Sequence, residues 1–367
     1  MPAQAGGFRC GIEHESALLR PDGRFADFTN TTFAELQSIV DELPISEDDY
    51  PGLRVGDLGI KLKRWYVEGF ERFDDDGELL RCDPKGIEIR TVVHDDVAHA
   101  VAALAADYKL LDAAATSAGF TLVTVGFNPF EQAYRVEPEL NAWERAHRVG
   151  SPEDRTAHLH MTTYGPDLNL SFAGMDHDAL IDAGAKLTHY SPYIVPFTFC
   201  SPFYGGKPWG GLSVRTHIRT GRRPAAMVFL PAGSAMLDSD PSLTQPARIP
   251  AEAGRIEFKA FDPCADFELY ADLLALLKGI VLDTSLPGRR IVPDAELHQA
   301  SAWAGYHDPE IRAGADDVLS AAAAALDLAE APRIAALRAR WEAAACASED
   351  MIECYEAGEA VAGLRKS

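Results

Sequence analysis

The feature that most constrains the fold is a short alternating pattern that occurs three times along the chain. It reads GIEHE at residues 11–15, GIEIR at 86–90 and RIEFK at 255–259. Apolar and ionisable residues alternate in each segment, which is the period of a β-strand with one face on a core. The pattern therefore predicts three strands, and in each strand the ionisable side chains project from a single face.

A fourth segment of the same period carries two histidines. Residues 157–161 read AHLHM, so His158 and His160 are predicted on one face of a strand. If the four strands are neighbours, their carboxylates and imidazoles line a pocket suited to divalent metal ions and a polyphosphate. The alternative is that each is an ordinary half-exposed strand whose polar side chains meet water.

Composition restricts the classes of partner. The 367 residues are 47% hydrophobic and 25% charged, which is typical of a globular protein with a substantial core. Lys and Arg number 34 against 56 Asp and Glu, so the formal net charge is −22. Such a surface repels nucleic acid and anionic lipid, so we expect no nucleic-acid partner and no membrane partner. An anionic substrate would depend on local arginines and lysines.

The cysteines and the first residues indicate the compartment. Six cysteines are scattered without a Cys-x-x-Cys spacing, which argues against a structural zinc site and against a disulfide framework. Residues 1–11 lack the apolar core of a secretory signal. Together these features predict a cytoplasmic protein.

The order of predicted elements, with strands first and helices last, favours an α+β fold over an alternating βαβ fold. Hairpins are expected to turn at 74–77 and 164–167, an acidic surface loop is expected at 42–52, and the glycine-rich segment 201–219 is expected to be irregular. No linker is visible. We therefore expect one catalytic domain over 1–367, with a sheet-rich core at 1–262 and a helical part at 263–367. Helices are predicted at 31–43, 95–118, 141–148, 176–190, 265–282, 308–328 and 332–357.

No phosphate-loop signature is present, neither a Walker-type motif nor Gly-x-Gly-x-x-Gly after a strand. A bound nucleotide would therefore be held through magnesium, a hard cation that takes about six oxygen ligands. Imidazole is a softer ligand that manganese accepts more readily. The candidate metal ligands are Glu13, Glu15, Glu88 and Glu257, completed by His158 or His160.

The order of motifs resembles the glutamate-cysteine ligase and carboxylate-amine ligase family, including the bacterial YbdK-like carboxylate-amine ligases. The resemblance covers about 11–262, with a looser match through the helical tail. Lys259 stands where the family usually has arginine, which keeps the charge but loses the bidentate fork. The similar segments, in the order of the family, are GIEHE at 11–15, GIEIRT at 86–91, GFNPF at 126–130, HLHM at 158–161, SPFYGG at 201–206, SVR at 213–215 and RIEFKAFD at 255–262.

This resemblance implies a glutamine-synthetase-like fold, in which a curved antiparallel sheet forms a funnel flanked by helices and holds ATP with Mg²⁺ or Mn²⁺. It implies that the four glutamates are metal ligands and that His158 or His160 lies beside them. The residues expected to be catalytic are Arg215, Arg255 and Lys259. Those expected to bind substrate are Arg90, Ser201, Tyr204 and Arg219.

The implied activity is the ATP-dependent joining of a carboxylate to an amine through an acyl phosphate. Glutamate and cysteine are the first candidate substrates, and another γ-glutamyl or amino-acid amide is also consistent. Three alternatives stay open: a guanidino-kinase-like phosphotransferase, a degenerate homologue that binds ATP without turnover, and a metallohydrolase using His158, His160 and Glu257. The sequence does not decide the amine, the metal or whether the chain forms a homo-oligomer.

Overall fold

The computed structural model describes residues 7–45, 63–150 and 152–366. Most of the surface loop expected at 42–52 lies outside these residues. None of the described helices is long and apolar enough to cross a membrane. All six cysteines are free thiols, as their spacing predicted.

A nine-stranded sheet that curls into a half-barrel forms the centre of the molecule. Its path follows the order β10-β9-β11-β6-β1-β4-β3, with β2 and β5 paired to β1. Within the described residues, β9 and β10 are parallel and the other pairs are antiparallel. The strands are β1 (Phe8–Leu19), β2 (Phe25–Ala26), β3 (Trp65–Phe73), β4 (Leu79–Arg90), β5 (Thr121–Val123), β6 (Pro166–Phe172), β9 (Ala226–Leu230), β10 (Thr244–Pro246) and β11 (Arg255–Phe258), with β7 (Phe203–Tyr204) and β8 (Lys207–Pro208) forming a separate ribbon.

Helices cover one face of this sheet. Ile12 of β1, Ile89 of β4 and Phe258 of β11 are fully buried in a core shared with helical leucines such as Leu104 and Leu273. Burial of this apolar face fixes which side chains of each strand are left for the opposite face. The helices are α1 (Phe33–Asp41), α2 (Val97–Ser117), α3 (Ala142–Arg148), α4 (Pro152–Arg155), α5 (His177–Ile194), α6 (Val214–Arg219), α7 (Glu268–Leu282), α8 (Ala295–Ala304), α9 (Pro309–Ala325), α10 (Ala331–Glu342) and α11 (Ala347–Glu356).

Capping residues account for several helix ends. Thr32 caps α1, and the Glu35 side chain bonds back to the Thr32 backbone in a capping box, as the sequence predicted. The cap of α2 is Asp96 rather than the expected Asp95. The end of that helix is closed as predicted by Gly119, whose φ of +83° suits glycine.

The prediction of a hairpin that turns at 164–167 is wrong. Residues Ala157–Thr162 form a 3₁₀ helix, and β6 pairs with β1 and β11. The backbone N–H groups of Leu159 and Thr163 bond back to Thr156 and His160, three residues earlier. Five alternating residues are too few to separate a strand from such a tight turn of helix.

The glycine-rich segment and the C-terminal part also differ from expectation. Residues Val214–Arg219 form α6, because the Ser213 side chain accepts from the Thr216 backbone N–H and caps it. The single helix predicted at 332–357 is two helices, with Ala344 between them at a φ of +49°. Helix α8 was not predicted, whereas the hairpin turning at 74–77 was.

Candidate active site

Ionisable side chains of β1 and β4 meet on the sheet face opposite the helical core. Glu13 pairs with Arg90 and Glu15 pairs with Glu88 across the two strands. Directly paired residues of antiparallel strands place their side chains on the same face. The first two alternating motifs are therefore neighbours, and their ionisable residues share one face of the sheet.

The third motif reaches the same face through β6. Asp167 is opposite Glu13 on the other side of β1, and Asn169 is opposite Glu257 of β11. The Asn169 amide donates to the Glu13 carboxylate at 3.2 Å. Three of the four predicted motifs thus converge, although β6 separates β1 from β11.

An acidic triad forms at the β1, β4 and β3 end of this face. Glu15, Glu68 and Glu88 each offer a carboxylate oxygen, and these oxygens lie within 4.8 Å of one another. Glu68 follows Tyr66 on β3, and Tyr66 is opposite Glu88. Sequence analysis missed Glu68, which follows the apolar residues Trp65, Tyr66 and Val67 and therefore lacks the alternation of the recognised motifs.

A buried lysine lies behind the acidic triad. Lys85 is 1% exposed, and its Nζ donates to Glu15 at 2.6 Å and to the carbonyl oxygens of His160 and Thr163. The other Glu15 oxygen accepts from the Gly165 backbone N–H at 2.8 Å. These donors fix the orientation of Glu15 and compensate part of its charge. Lys85 was also missed by sequence analysis.

An ion-pair cluster forms at the β11 end. It comprises Glu13, Asp167 and Glu257 with Arg255 and Lys259. Arg255 lies 2.9 Å from Glu257 and 3.4 Å from Glu13. Lys259 pairs with Glu257 and lies 2.5 Å from Asp167. Each of the three carboxylates therefore has a cation or an amide partner within the protein.

Burial and these pairings shift the acid dissociation constants in opposite directions. Burial raises the pKa of Asp167 to about 7, with Lys259 opposing the rise and Glu257 and Glu13 adding to it. Burial alone would raise the pKa of Glu257 as well, but Lys259 and Arg255 outweigh it and lower that pKa to about 2. The Lys259 pKa is raised, because Asp167 and Glu257 overcome the effect of its burial. The cluster therefore favours charged Glu257 and Lys259.

The predicted substrate-binding Arg90 lies on the same face as these groups. Its guanidinium carbon is 4.8 Å from the centre of the Tyr66 ring, a cation–π arrangement. Arg90 is half-buried and pairs across the strands with Glu13. It lies opposite Glu13 of the ion-pair cluster and two residues from Glu88 of the acidic triad on β4.

The two histidines are held by the 3₁₀ helix and lie outside both groups. His160 Nε2 is 3.2 Å from the Gly69 carbonyl oxygen. The His158 side chain is exposed, and partial desolvation, with Arg223 and Arg222, lowers its pKa. Among the described residues the acidic triad is the group of three potential ligands that lies close enough to hold an ion, and it contains neither imidazole.

Arg215 and Ser201 belong to a buried polar network. Ser201 donates to Asp262 at 2.6 Å, and Ser213 lies within 3.2 Å of the same carboxylate. Arg215 donates to the carbonyl oxygens of Lys259 and Ala260, each at 3.0 Å. This network braces the end of β11. Of the other predicted substrate-binding residues, Tyr204 stacks on Phe127 and Arg219 is buried at the end of α6.

The donor set of the acidic triad fits a hard divalent cation. Its three carboxylates supply oxygen ligands, which suit magnesium, and manganese accepts the same set. Arginine and lysine lie within the same sheet face, where they are suited to binding anionic groups.

Comparison with solved structures shows the fold. The chain is 10% identical to a glutamate–cysteine ligase from Francisella tularensis in complex with AMP, covering 96% of this chain and 86% of that one with a TM-score of 0.50. It is 11% identical to a bifunctional glutathione synthetase from Pasteurella multocida, covering 98% of this chain and 51% of that one with a TM-score of 0.55. The predicted α+β, glutamine-synthetase-like fold is confirmed.

Sequence comparison identifies the family. No curated protein matches the chain. Residues 9–233, more than half of the sequence, match the model of glutamate-cysteine ligase family 2. That range contains all members of the acidic triad as well as Glu13, Asp167 and Arg215. The chain belongs to glutamate-cysteine ligase family 2.

Proposed function

We propose that this protein is an ATP- and metal-dependent ligase that joins a carboxylate to an amine through an acyl phosphate. Membership of the family indicates a carboxylate-amine ligase. The observation that carries the proposal is the acidic triad lying on the same sheet face as Arg255 and Lys259. Such a face offers ligands for a divalent cation and donors for anionic substrates on one rigid element.

Glu15, Glu68 and Glu88 would hold Mg²⁺ or Mn²⁺, which when bound would neutralise phosphate charge during phosphoryl transfer. Lys85 and the Gly165 N–H hold Glu15 in place for that role. AMP in the Francisella tularensis ligase structure supports ATP as the nucleotide. Glu13 and Glu257 remain proposed ligands on the neighbouring strands.

Lys259 and Arg255 would act on anionic groups during amide formation. Both already contact carboxylates, so a substrate carboxylate or the developing oxyanion could take the place of Asp167 or Glu13. Arg215 would position Lys259, since it binds the Lys259 carbonyl oxygen. The catalytic roles proposed for Arg255 and Lys259 follow from their charge and their position on one sheet face, whereas Arg215 is a positioning residue on α6.

We propose glutamate and cysteine as the first substrates to test, since the family carries the name of that reaction. One catalytic domain spanning residues 1–367, with its site on the sheet-rich part at 1–262, is proposed as the active unit. A cytoplasmic location and a homo-oligomeric state stay predictions.

An ADP-release screen tests the proposal. Purified protein is incubated with ATP, Mg²⁺ or Mn²⁺, a panel of carboxylates headed by glutamate, and a panel of amines headed by cysteine, and products are identified by mass. We expect ADP, phosphate and an amide, and none without divalent cation. A phosphorylated substrate without amide would instead indicate the phosphotransferase. Binding of Mg-ATP with no turnover on any pair would indicate a non-catalytic homologue.

A further inference from the structure

A small cavity beside the candidate site is lined by positive charge. It lies between α6, the turn that follows α6 and the start of α8, and its volume is about 20 Å³. Its lining includes Thr216, Arg219, Arg223, Ala260 and His298, and we call it the arginine pocket. A space of this size admits about one water molecule or the end of a small polar group.

Arg219 is buried in this pocket without an acidic partner. It is 8% exposed, and its contact with the Pro224 carbonyl oxygen is long, at 3.4 Å. Within the described residues, no carboxylate lies within 4 Å of its guanidinium, whereas Arg223 pairs with Glu153. Burial, with Arg215 and Arg223, lowers the pKa of Arg219 to about 9, which reflects the same uncompensated charge.

Two residues that line the pocket each carry a buried donor with no hydrogen-bond partner in the described structure. The donors are the Thr216 hydroxyl and the Arg223 Nε. Burying a charge or a polar donor without a partner costs free energy, so such groups commonly mark a ligand site. The Arg219 guanidinium, the Thr216 hydroxyl and the Arg223 Nε can all donate hydrogen bonds to a small oxyanion.

The pocket adjoins the ion-pair cluster. Ala260 lines it and follows Lys259 in the chain. Arg215, one turn before Arg219 on α6, donates to the carbonyl oxygens of both Lys259 and Ala260. Asp167 of the cluster is near enough to influence the pKa of Arg219. A substrate held in the pocket by one end would therefore have its other end near the proposed reaction site.

We propose that Arg219, with Thr216 and Arg223, binds the non-reacting carboxylate of an amino-acid substrate. A guanidinium matches a carboxylate with two parallel hydrogen bonds, and the threonine hydroxyl adds a third donor. The proposal rests on the ligase function for the identity of the substrate. This non-reacting carboxylate belongs either to the substrate that is phosphorylated or to the amine substrate. The experiment below separates these two sources.

Substrate pairs that differ only in this carboxylate test the pocket. Cysteine is compared with cysteamine as the acceptor, and glutamate with 4-aminobutyrate as the donor, using the ratio of kcat/KM within each pair. The wild-type protein is expected to prefer the carboxylate-bearing member of one pair, which identifies the source. Arg219→Gln should reduce that preference at least ~10-fold, since a buried charged contact is lost. Arg222→Gln, at an exposed neighbouring arginine, is the matched control and should preserve it. Preferences unchanged in Arg219→Gln would overturn the proposal.

A stability measurement tests the same pocket without turnover. Arg219→Met keeps similar volume and removes the unpaired charge, so the melting temperature should rise, whereas a structural role for Arg219 predicts a fall. Acetate, titrated at constant ionic strength as a carboxylate probe, should stabilise the wild-type protein and not Arg219→Met. If acetate stabilises the protein but no ligase activity is found, the proposed function is refuted and the proposal that the pocket binds a carboxylate is kept. If Arg219→Met lowers the melting temperature and leaves the response to acetate unchanged, Arg219 does not bind a carboxylate in this pocket.

Discussion

The acidic triad and the ion-pair cluster lie on the same sheet face but differ in geometry, since the triad brings three carboxylate oxygens within 4.8 Å of one another. In the triad, Lys85 is the cation that contacts Glu15 from within the described structure. In the cluster, Arg255 and Lys259 pair with three carboxylates. Strand alternation alone places carboxylates on a face. The residues on the neighbouring strand decide whether those carboxylates meet one another, as in the triad, or meet cations, as in the cluster.

The largest expected effect is at the acidic triad. Glu68→Gln and Glu88→Gln should each lower kcat by at least ~10³-fold, because each removes a ligand of the proposed cation. ADP release measures turnover, and electron paramagnetic resonance with Mn²⁺ measures binding. Glu78→Gln, at an exposed position beside the 74–77 turn, serves as the control and should retain activity. Wild-type turnover in both triad variants would remove the metal site from this face.

The next effect concerns stability at the ion-pair cluster. Lys259→Met leaves the buried Glu257 and the half-buried Asp167 without their lysine, so the free energy of unfolding should fall by about 3–5 kcal/mol. Urea denaturation measures the change. Lys207→Met, at an exposed lysine of β8, should stay within about 0.5 kcal/mol. A loss at Lys259 no larger than at Lys207 would show that the cluster does not neutralise its own charge.

The cluster should also give a characteristic dependence on pH. Because the pKa of Asp167 is raised from 3.8 to about 7, the folded state binds this proton more tightly than the unfolded state. Its contribution to stability is therefore full below pH 4 and is lost as the pH rises towards 7. Asp167→Asn should remove this decline, changing the free energy of unfolding across the window on the order of 4 kcal/mol. Urea titrations from pH 4 to 8 measure it.

Glu257 supplies the opposite sign within the same cluster. Its pKa is lowered from 4.5 to about 2, so its stabilising contribution is present above pH 4.5 and is lost as the pH falls towards 2. Glu257→Gln should flatten the acid limb of the stability profile. For the prediction at Asp167, the contradicting result is a free energy of unfolding that changes with pH by the same slope between pH 4 and 7 in the wild type and in Asp167→Asn.

The smallest expected effect concerns the boundary between the two groups. Asn169→Ala removes a hydrogen bond to Glu13 and should lower the free energy of unfolding by about 1 kcal/mol. A double-mutant cycle with Arg255→Met measures whether the two partners of Glu13 are coupled. If the losses in the free energy of unfolding from Asn169→Ala and Arg255→Met are additive, Glu13 does not couple its two partners and is not an energetic member of the ion-pair cluster.

The sequence predicts the strands better than their pairing. Alternation placed the ionisable side chains of each strand on one face of that strand, and the pairing in the structure brings Glu13, Glu15, Glu88 and Glu257 to one face of the sheet. Glu68 was missed because its approach to Glu88 depends on the register of β3 against β4. That register shifts between Glu68 and Gly69. A register of this kind arises from tertiary packing rather than from local pattern.

The wrong predictions of secondary structure in single segments are explained by hydrogen bonds within those segments. His158 and His160 alternate with apolar residues, but backbone hydrogen bonds to residues three positions earlier make the segment a 3₁₀ helix. Ser213 caps a helix inside a segment whose glycines suggested irregular structure. Lys85 lies between Pro84 and Gly86, and nothing in the local pattern of the sequence indicates that its ammonium group reaches Glu15.

The position of β1 has a consequence for synthesis on the ribosome. This strand comes from the beginning of the chain, yet β6, which carries Asp167 and lies between β1 and β11, is translated about 150 residues later. β11 follows after a further interval of more than 80 residues. Strands β2, β4 and β5 emerge earlier and can pair with β1, but the part of β1 that pairs with β6 keeps an open edge until β6 emerges, and such an edge favours aggregation. Association with a chaperone during translation, or a slow final folding phase, is the expected cost of assembling a site from such distant segments.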